Sequence, residues 1–154
     1  MDMKTLFCRA ALAAALLLGL AVATEAQIAP PQVAQRQDLM KSNGAAVRTL
    51  VRMLRGTEPW NPATARQAAV TINGNSKQII GLFPPGSGPA SGAKTGASDA
   101  IWENLGDFEA KAKTLEEESA KLVAASDDAA LKAQIPVVGK ACSGCHEAYR
   151  NAPE

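Results

Sequence analysis

Near the C-terminus of this 154-residue chain stands Cys142-Ser143-Gly144-Cys145-His146. On a helix, positions three and four apart share a face, so Cys142, Cys145 and His146 can all address one flat object. The pattern C-x-x-C-H is that of a c-type haem attachment site. Each thiol adds to one vinyl group of the macrocycle, and the imidazole ligates the iron from one side. Three other readings compete. A structural zinc site needs four Cys or His ligands, and His146 is the only histidine. A thioredoxin-like pair expects a βαβ setting, for which the chain has no convincing strand pattern. A plain Cys142–Cys145 disulfide remains, and it predicts a colourless protein.

The other end of the chain bears on the same question. Met1 to about Ala26 reads as a secretory signal peptide. Lys4 and Arg9 begin it, Ala10 to Ala23 is apolar and uncharged, and Ala21-Val22-Ala23 or Thr24-Glu25-Ala26 offers small residues for cleavage. The apolar run is too short for a comfortable membrane span. A cleaved signal, a periplasmic protein and no stable membrane anchor are therefore expected, with a retained anchor as the alternative. Cys8 leaves with this segment. The two cysteines left are both in the pentapeptide, the arithmetic a c-type haem protein needs. Residues 27–154 then make one domain, large enough for a single core. The removed Asp2, Lys4, Arg9 and Glu25 cancel, so the mature charge stays near the +1 of the full chain. That balance argues against nucleic acid as a partner.

Four segments carry an apolar repeat of alternating threes and fours. The first runs from about Pro31 to Arg55, with Val33, Gln37, Met40, Gly44, Val47, Val51 and Leu54 expected inward. The second follows Asn61-Pro62, a cap residue and a first-turn proline. Its stripe is Ala65, Ala69, Ile72, Ser76 and Ile79, weakened by Asn73-Gly74-Asn75. The third begins after Ser98, with Ile101, Leu105, Phe108, Ala112, Leu115, Ser119 and Leu122. The fourth runs from about Asp127 to Arg150, with Leu131, Ile135, Val138, Cys142, Cys145 and Tyr149. Pro136 is expected to remove one backbone hydrogen bond there and kink the helix.

Such a set packs naturally as an all-α, antiparallel up-down four-helix bundle. Two of the connections are short. The third, Phe83 to Ala97, is rich in Gly and Pro, and is expected to cross the end of the bundle at the surface. Alanine is abundant and aromatic residues are few, so helices can approach closely and a haem would supply bulk. Trp102 and Phe108 suit either core or haem contact; Phe108 is assigned to the core and Trp102 is left open.

The second side of the iron has few candidates. With one histidine, bis-histidine ligation within the chain is excluded. Met40 and Met53 lie roughly 220° apart around one helix. Only Met40 is on the seam, as sixth ligand or as a group packed above a five-coordinate iron. Arg36, one turn earlier on the same face, is a haem-propionate partner or a solvated charge.

The stretch from Val137 to Arg150 resembles the haem-binding end of class II cytochromes c, the cytochrome c′ family. Arg36-Gln37-Asp38-Leu39-Met40-Lys41 is similar to that family's first-helix motif, and Ile101-Trp102 with Phe108 to its third-helix start. The motif's place near the C-terminus sets the chain apart from class I cytochromes c. The resemblance implies one covalent haem c near one end of the bundle, bound by thioethers at Cys142 and Cys145. It implies His146 as proximal ligand, Met40 at the distal position, Arg150 beside the imidazole and Arg36 near a propionate. It also implies a homodimer packing through the first two helices.

Two functions follow from the family's two branches. In the first, His146 and Met40 both ligate, and the protein is a non-enzymatic electron carrier serving a redox partner protein. The sequence stands closer to this low-spin branch. In the second, the iron is five-coordinate and high-spin, and its open apolar face binds nitric oxide or carbon monoxide.

Overall fold

The computed structural model describes residues 30–151. Every regular element among them is helical, apart from one isolated β-bridge between Ala97 and Arg150. Helix α1 spans Pro31–Leu54 and α2 spans Pro62–Ser76. A loop with two single-turn 3-10 helices, Ile80–Leu82 and Pro89–Ser91, leads to α3, Ala100–Glu103. Helix α4 is Leu105–Val123 and α5 is Asp128–Tyr149. The four long helices form the antiparallel bundle that the sequence predicts.

Local chemistry sets the helix ends. The Asn61 side chain accepts from the Thr64 amide at 3.0 Å, and Pro62 occupies the first turn of α2. Asp127 Oδ1 accepts from the Ala130 amide at 2.8 Å and caps α5. Gly56, at φ 73°, takes the left-handed position that ends α1. At the start of the third segment the Ser98 hydroxyl accepts from the Ala100 amide at 3.3 Å.

The third segment is not continuous. Asn104, at φ −135° and ψ 56°, divides α3 from α4. The stripe predicted through Leu105 is corrected there: Leu105 is exposed, while Ile101 and Phe108 are buried on either side. Pro136, by contrast, lies inside an unbroken α5.

Helix α2 packs against both α1 and α4, and α4 packs along α5. Small residues are buried on both α1 and α2: Ala46 on the first, and Ala65, Ala68 and Ala69 on the second. Polar residues tie α2 to its neighbours despite its poor helix formers. Asn75 Nδ2 donates to Asn43 Oδ1 at 2.9 Å and Ser42 Oγ at 3.1 Å on α1. Asn73 Nδ2 donates to the Glu116 carbonyl at 3.2 Å and Ser119 Oγ at 3.1 Å on α4. No buried side-chain N or O among the described residues lacks a partner, so this layer holds helices together without a desolvation penalty.

The fourth edge of the bundle is different. Helices α1 and α5 touch only sparsely, because space separates them. Val33 is buried as predicted, but beyond it the inward stripe predicted for α1 is off by one position for this reason. Val33, Arg36, Leu39, Asn43, Ala46, Leu50 and Met53 are the buried residues. Of the predicted set, Gln37, Met40, Gly44 and Val47 face a large cavity, and Val47 and Val51 a smaller one; Leu54, expected inward, is exposed at the rim of the smaller one. The apolar repeat in the sequence marked the edge toward α5, and the core row beside it includes an arginine and an asparagine.

Candidate haem site

The large cavity between α1 and α5 has a volume of about 600 Å³. That is the size of a site for a cofactor or drug-sized ligand. One wall is α5, with Cys142, Cys145, His146, Tyr149 and Arg150; another is α1, with Arg36, Met40, Asn43, Gly44 and Val47. Ile79, Phe83, Ile101, Phe108 and Leu115 form its apolar back. The cavity thus brings together six of the seven sequence-predicted site residues.

Cys142, Cys145 and His146 are half-buried, on consecutive turns of one helix. Both sulfurs are free rather than joined as a disulfide. Burial is the main reason both thiol pKa values rise, which keeps them protonated near neutrality. Burial first, and Arg150 second, lower the pKa of His146. Its imidazole is therefore biased to the neutral form that a metal requires.

The end of α5 is tethered. The Ser98 amide donates to the Tyr149 carbonyl and the Asn151 amide to the Gly96 carbonyl, both at 2.9 Å. Tyr149 also donates through its hydroxyl to Asp107 Oδ2 at 2.6 Å, which pushes the phenol pKa up to about 12. Its ring meets Phe108 edge-on at 5.5 Å between centroids. His146, three residues earlier, is thereby held by a helix end fixed to both the loop and α4.

Arg36 is only 3% exposed. Its guanidinium donates to Ser87 O at 2.6 Å, Ser87 Oγ at 2.8 Å, Thr95 Oγ1 at 2.8 Å and Leu82 O at 3.3 Å. It also lies 4.7 Å from the Phe83 ring centroid. Burial lowers its pKa. Among the described residues no carboxylate pairs with it, so a buried cation lines the cavity with only neutral partners. This is not the solvated surface charge considered from sequence.

The Gly/Pro-rich loop is likewise more than a surface crossover. Ser87, Ala93 and Ala97 are buried in it, and Thr95, Gly96 and Ala97 complete the cavity wall. Trp102 does not line the cavity. Its Nε1 donates to the Phe83 and Pro84 carbonyls at 3.2 and 3.1 Å, and its ring packs against Gly88. The indole anchors the loop, and the cavity contacts fall to Phe83 and Phe108. Phe83 and Thr95 were missed from sequence because a Gly/Pro-rich stretch has no period to read. Asn43 was missed because a polar residue does not mark a buried stripe, although it lies three positions from Met40 and seven from Arg36.

The residues fit a covalently attached haem. Two thiols and an imidazole stand on one wall, the interior is apolar, and a buried guanidinium without an anionic partner stands on another. Comparison with known proteins agrees. The family model described as cytochrome c′ matches residues 31–150. A cytochrome c-556 of Agrobacterium tumefaciens (strain II Chrys) is 34% identical over 121 residues, covering 77% of this chain and 96% of that protein. A cytochrome c′ of Rhodopseudomonas palustris is 32% identical over 119 residues, covering 77% and 80%. The crystal structure of a triple mutant of the Rhodopseudomonas palustris cytochrome c′, expressed in E. coli, superposes with a TM-score of 0.74. It is 30% identical and covers 80% of this chain and 100% of that one.

Proposed function

The chain belongs to the cytochrome c′ family, with haem c as its cofactor, and on that premise we propose that it is a periplasmic monohaem electron carrier whose iron is ligated by His146 and Met40. The observation that carries this reading is Met40 on the α1 wall of the same cavity that His146 lines from α5. Met53 has no such option: it is buried elsewhere, with the Asn61 amide 3.4 Å from its sulfur.

Bound haem supplies a one-electron iron couple, and thioether ligation favours a higher potential than two histidines would. The protein's part is to hold and to shield. Cys142 and Cys145 would fix the macrocycle to α5, and His146 would be presented as a neutral imidazole by its buried, tethered turn. Arg36 would receive the negative charge of a propionate while still bracing the loop. The apolar wall of Ile79, Phe83, Ile101 and Phe108 would keep water from the bound group and so limit reorganisation when charge changes. The proposed role requires no acid, base or nucleophile, and the protein is proposed to have no catalytic activity of its own.

Export with loss of residues 1–26 belongs to the same proposal; that segment lies outside the described residues. No helix among the described residues is long and apolar enough to cross a membrane. A redox partner protein is expected, without nucleic acid. A homodimer through α1 and α2 belongs to the same proposal, and one structurally similar cytochrome c′ is described as a dimer with ligand-controlled dissociation.

The test is an optical spectrum of the exported protein, oxidised and reduced, with and without carbon monoxide. A low-spin reduced spectrum indifferent to carbon monoxide is expected, and Met40→Leu should convert it to a ligand-binding form. A high-spin spectrum that shifts with carbon monoxide in the unaltered protein would replace this reading with the five-coordinate, gas-binding one.

A further inference from the structure

The polar groups that α1 brings to the cavity differ in whether their donors are already engaged. Arg36 is bonded into the loop. Gln37 Nε2 donates to the Lys94 carbonyl at 2.8 Å, and Lys41 Nζ pairs with Asp38 at 2.9 Å. Arg48 is exposed, so water satisfies it. Asn43 is the exception. It is 7% exposed and lines the cavity. Its Oδ1 accepts from Asn75 Nδ2 at 2.9 Å, which fixes the rotation of the amide. Its Nδ2 has no bonded partner among the described residues, and no wholly enclosed polar atom goes unpaired. The space left to that donor is the cavity. Asn43 also lies one helical turn after Met40, on the same side of α1.

We propose that Asn43 is a hydrogen-bond donor on the distal face of the haem, aimed by Asn75, and that it selects among groups on the iron by whether they carry an acceptor atom. The haem and its distal face rest on the reading given above; the selection by Asn43 does not depend on whether Met40 ligates. The acceptor can be the Met40 sulfur or an exogenous ligand that displaces it. A purely apolar distal face would treat cyanide and carbon monoxide alike with respect to hydrogen bonding. A fixed amide N–H would not, because bound cyanide has an anionic acceptor nitrogen and bound carbon monoxide is a weak acceptor. A hydrogen bond to a charged group is worth more than one to a neutral group.

The experiment uses the haem-loaded protein in a Met40→Ala background, which opens the iron whatever its native coordination. Cyanide affinity of the ferric form and carbon monoxide affinity of the ferrous form are measured before and after adding Asn43→Leu. Leucine nearly matches asparagine in shape, and Asn75 keeps Ser42 Oγ as a partner. Cyanide affinity is expected to fall roughly tenfold or more, with carbon monoxide changed less than about twofold. Asn75→Ala, which leaves Asn43 in place but frees its amide to rotate, is expected to give part of the same loss. Equal changes for both ligands, or no change for either, would overturn the assignment. Should Asn43→Leu fail to fold, Asn75→Ala alone decides: unaltered cyanide affinity then counts against it. A protein without covalent haem would refute the haem reading instead, and its lack of colour distinguishes that failure.

Discussion

Two methionines on α1 sit in opposite settings. Met53 is buried between packed helices and is 6% exposed. Met40, thirteen residues earlier in the same helix, is half-buried on a cavity wall. The first lies where the protein supplies all its own packing. The second lies where the protein leaves its edge open. The same residue type is thus core filler on one side of a helix and candidate metal ligand on the other, and the partner across the gap decides which.

The largest expected effect lies on the open side. Changing both Cys142 and Cys145 to serine should abolish covalent haem, leaving no coloured band after denaturing electrophoresis and haem staining; retained covalent haem would sink the assignment of the open edge. On the closed side, Met53→Ala should cost about 2–5 kcal/mol of stability in denaturant unfolding and leave the haem spectrum unchanged. Met40→Leu should do the reverse, at under about 1.5 kcal/mol, with its effect in the spectrum. A spectrum altered equally by both would break the contrast.

The loop gives a sharper version. A Cβ on Gly88 would lie 2.6 Å from Trp102 Cζ3 and 2.9 Å from Asp99 Oδ1. Gly88→Ala should therefore destabilise by about 1–3 kcal/mol, with faster amide exchange in the loop as the readout. Unchanged exchange there would show that the loop is not held by Trp102.

The smallest expected effect is at the far end of α5. The Ala130 amide first, then the Ser126 hydroxyl, hold the Asp127 pKa below its usual 3.8. A lowered folded-state pKa adds stability above the unfolded value, and that contribution is lost as pH falls through the folded one. Asp127→Ala should thus lower the melting temperature slightly near neutrality, and the difference should vanish in strong acid. A difference that persists there would point to packing rather than to the cap.

The contrast also explains what was legible in the sequence. The pentapeptide spoke directly, because covalent attachment needs fixed residue types at fixed spacing. Helices α2 and α5 announced their starts through Asn61-Pro62 and Asp127. The packing row of α1 was displaced because the period counts apolar residues, and Arg36 and Asn43 are buried by what they bond to. The interruption at Asn104 left no mark on the heptad, since Ile101 and Phe108 stay seven apart across it. Trp102 resembled a haem neighbour by its place in the chain; its N–H, bonded to the Phe83 and Pro84 carbonyls, draws the indole away from the cavity.

The sparse edge between α1 and α5 joins the first and last helices among the described residues. Contacts there close the longest loops available, and chain entropy penalises them most. They also gain the least protein packing in return. Folding can therefore complete the α1–α2, α2–α4 and α4–α5 contacts before this edge has any reward for closing. Bound haem would reverse that order of advantage. Anchored on α5 and filling the gap to α1, as proposed, it would act as a clasp between the first and last of these helices. It would make the last seam to form the one that locks the bundle shut.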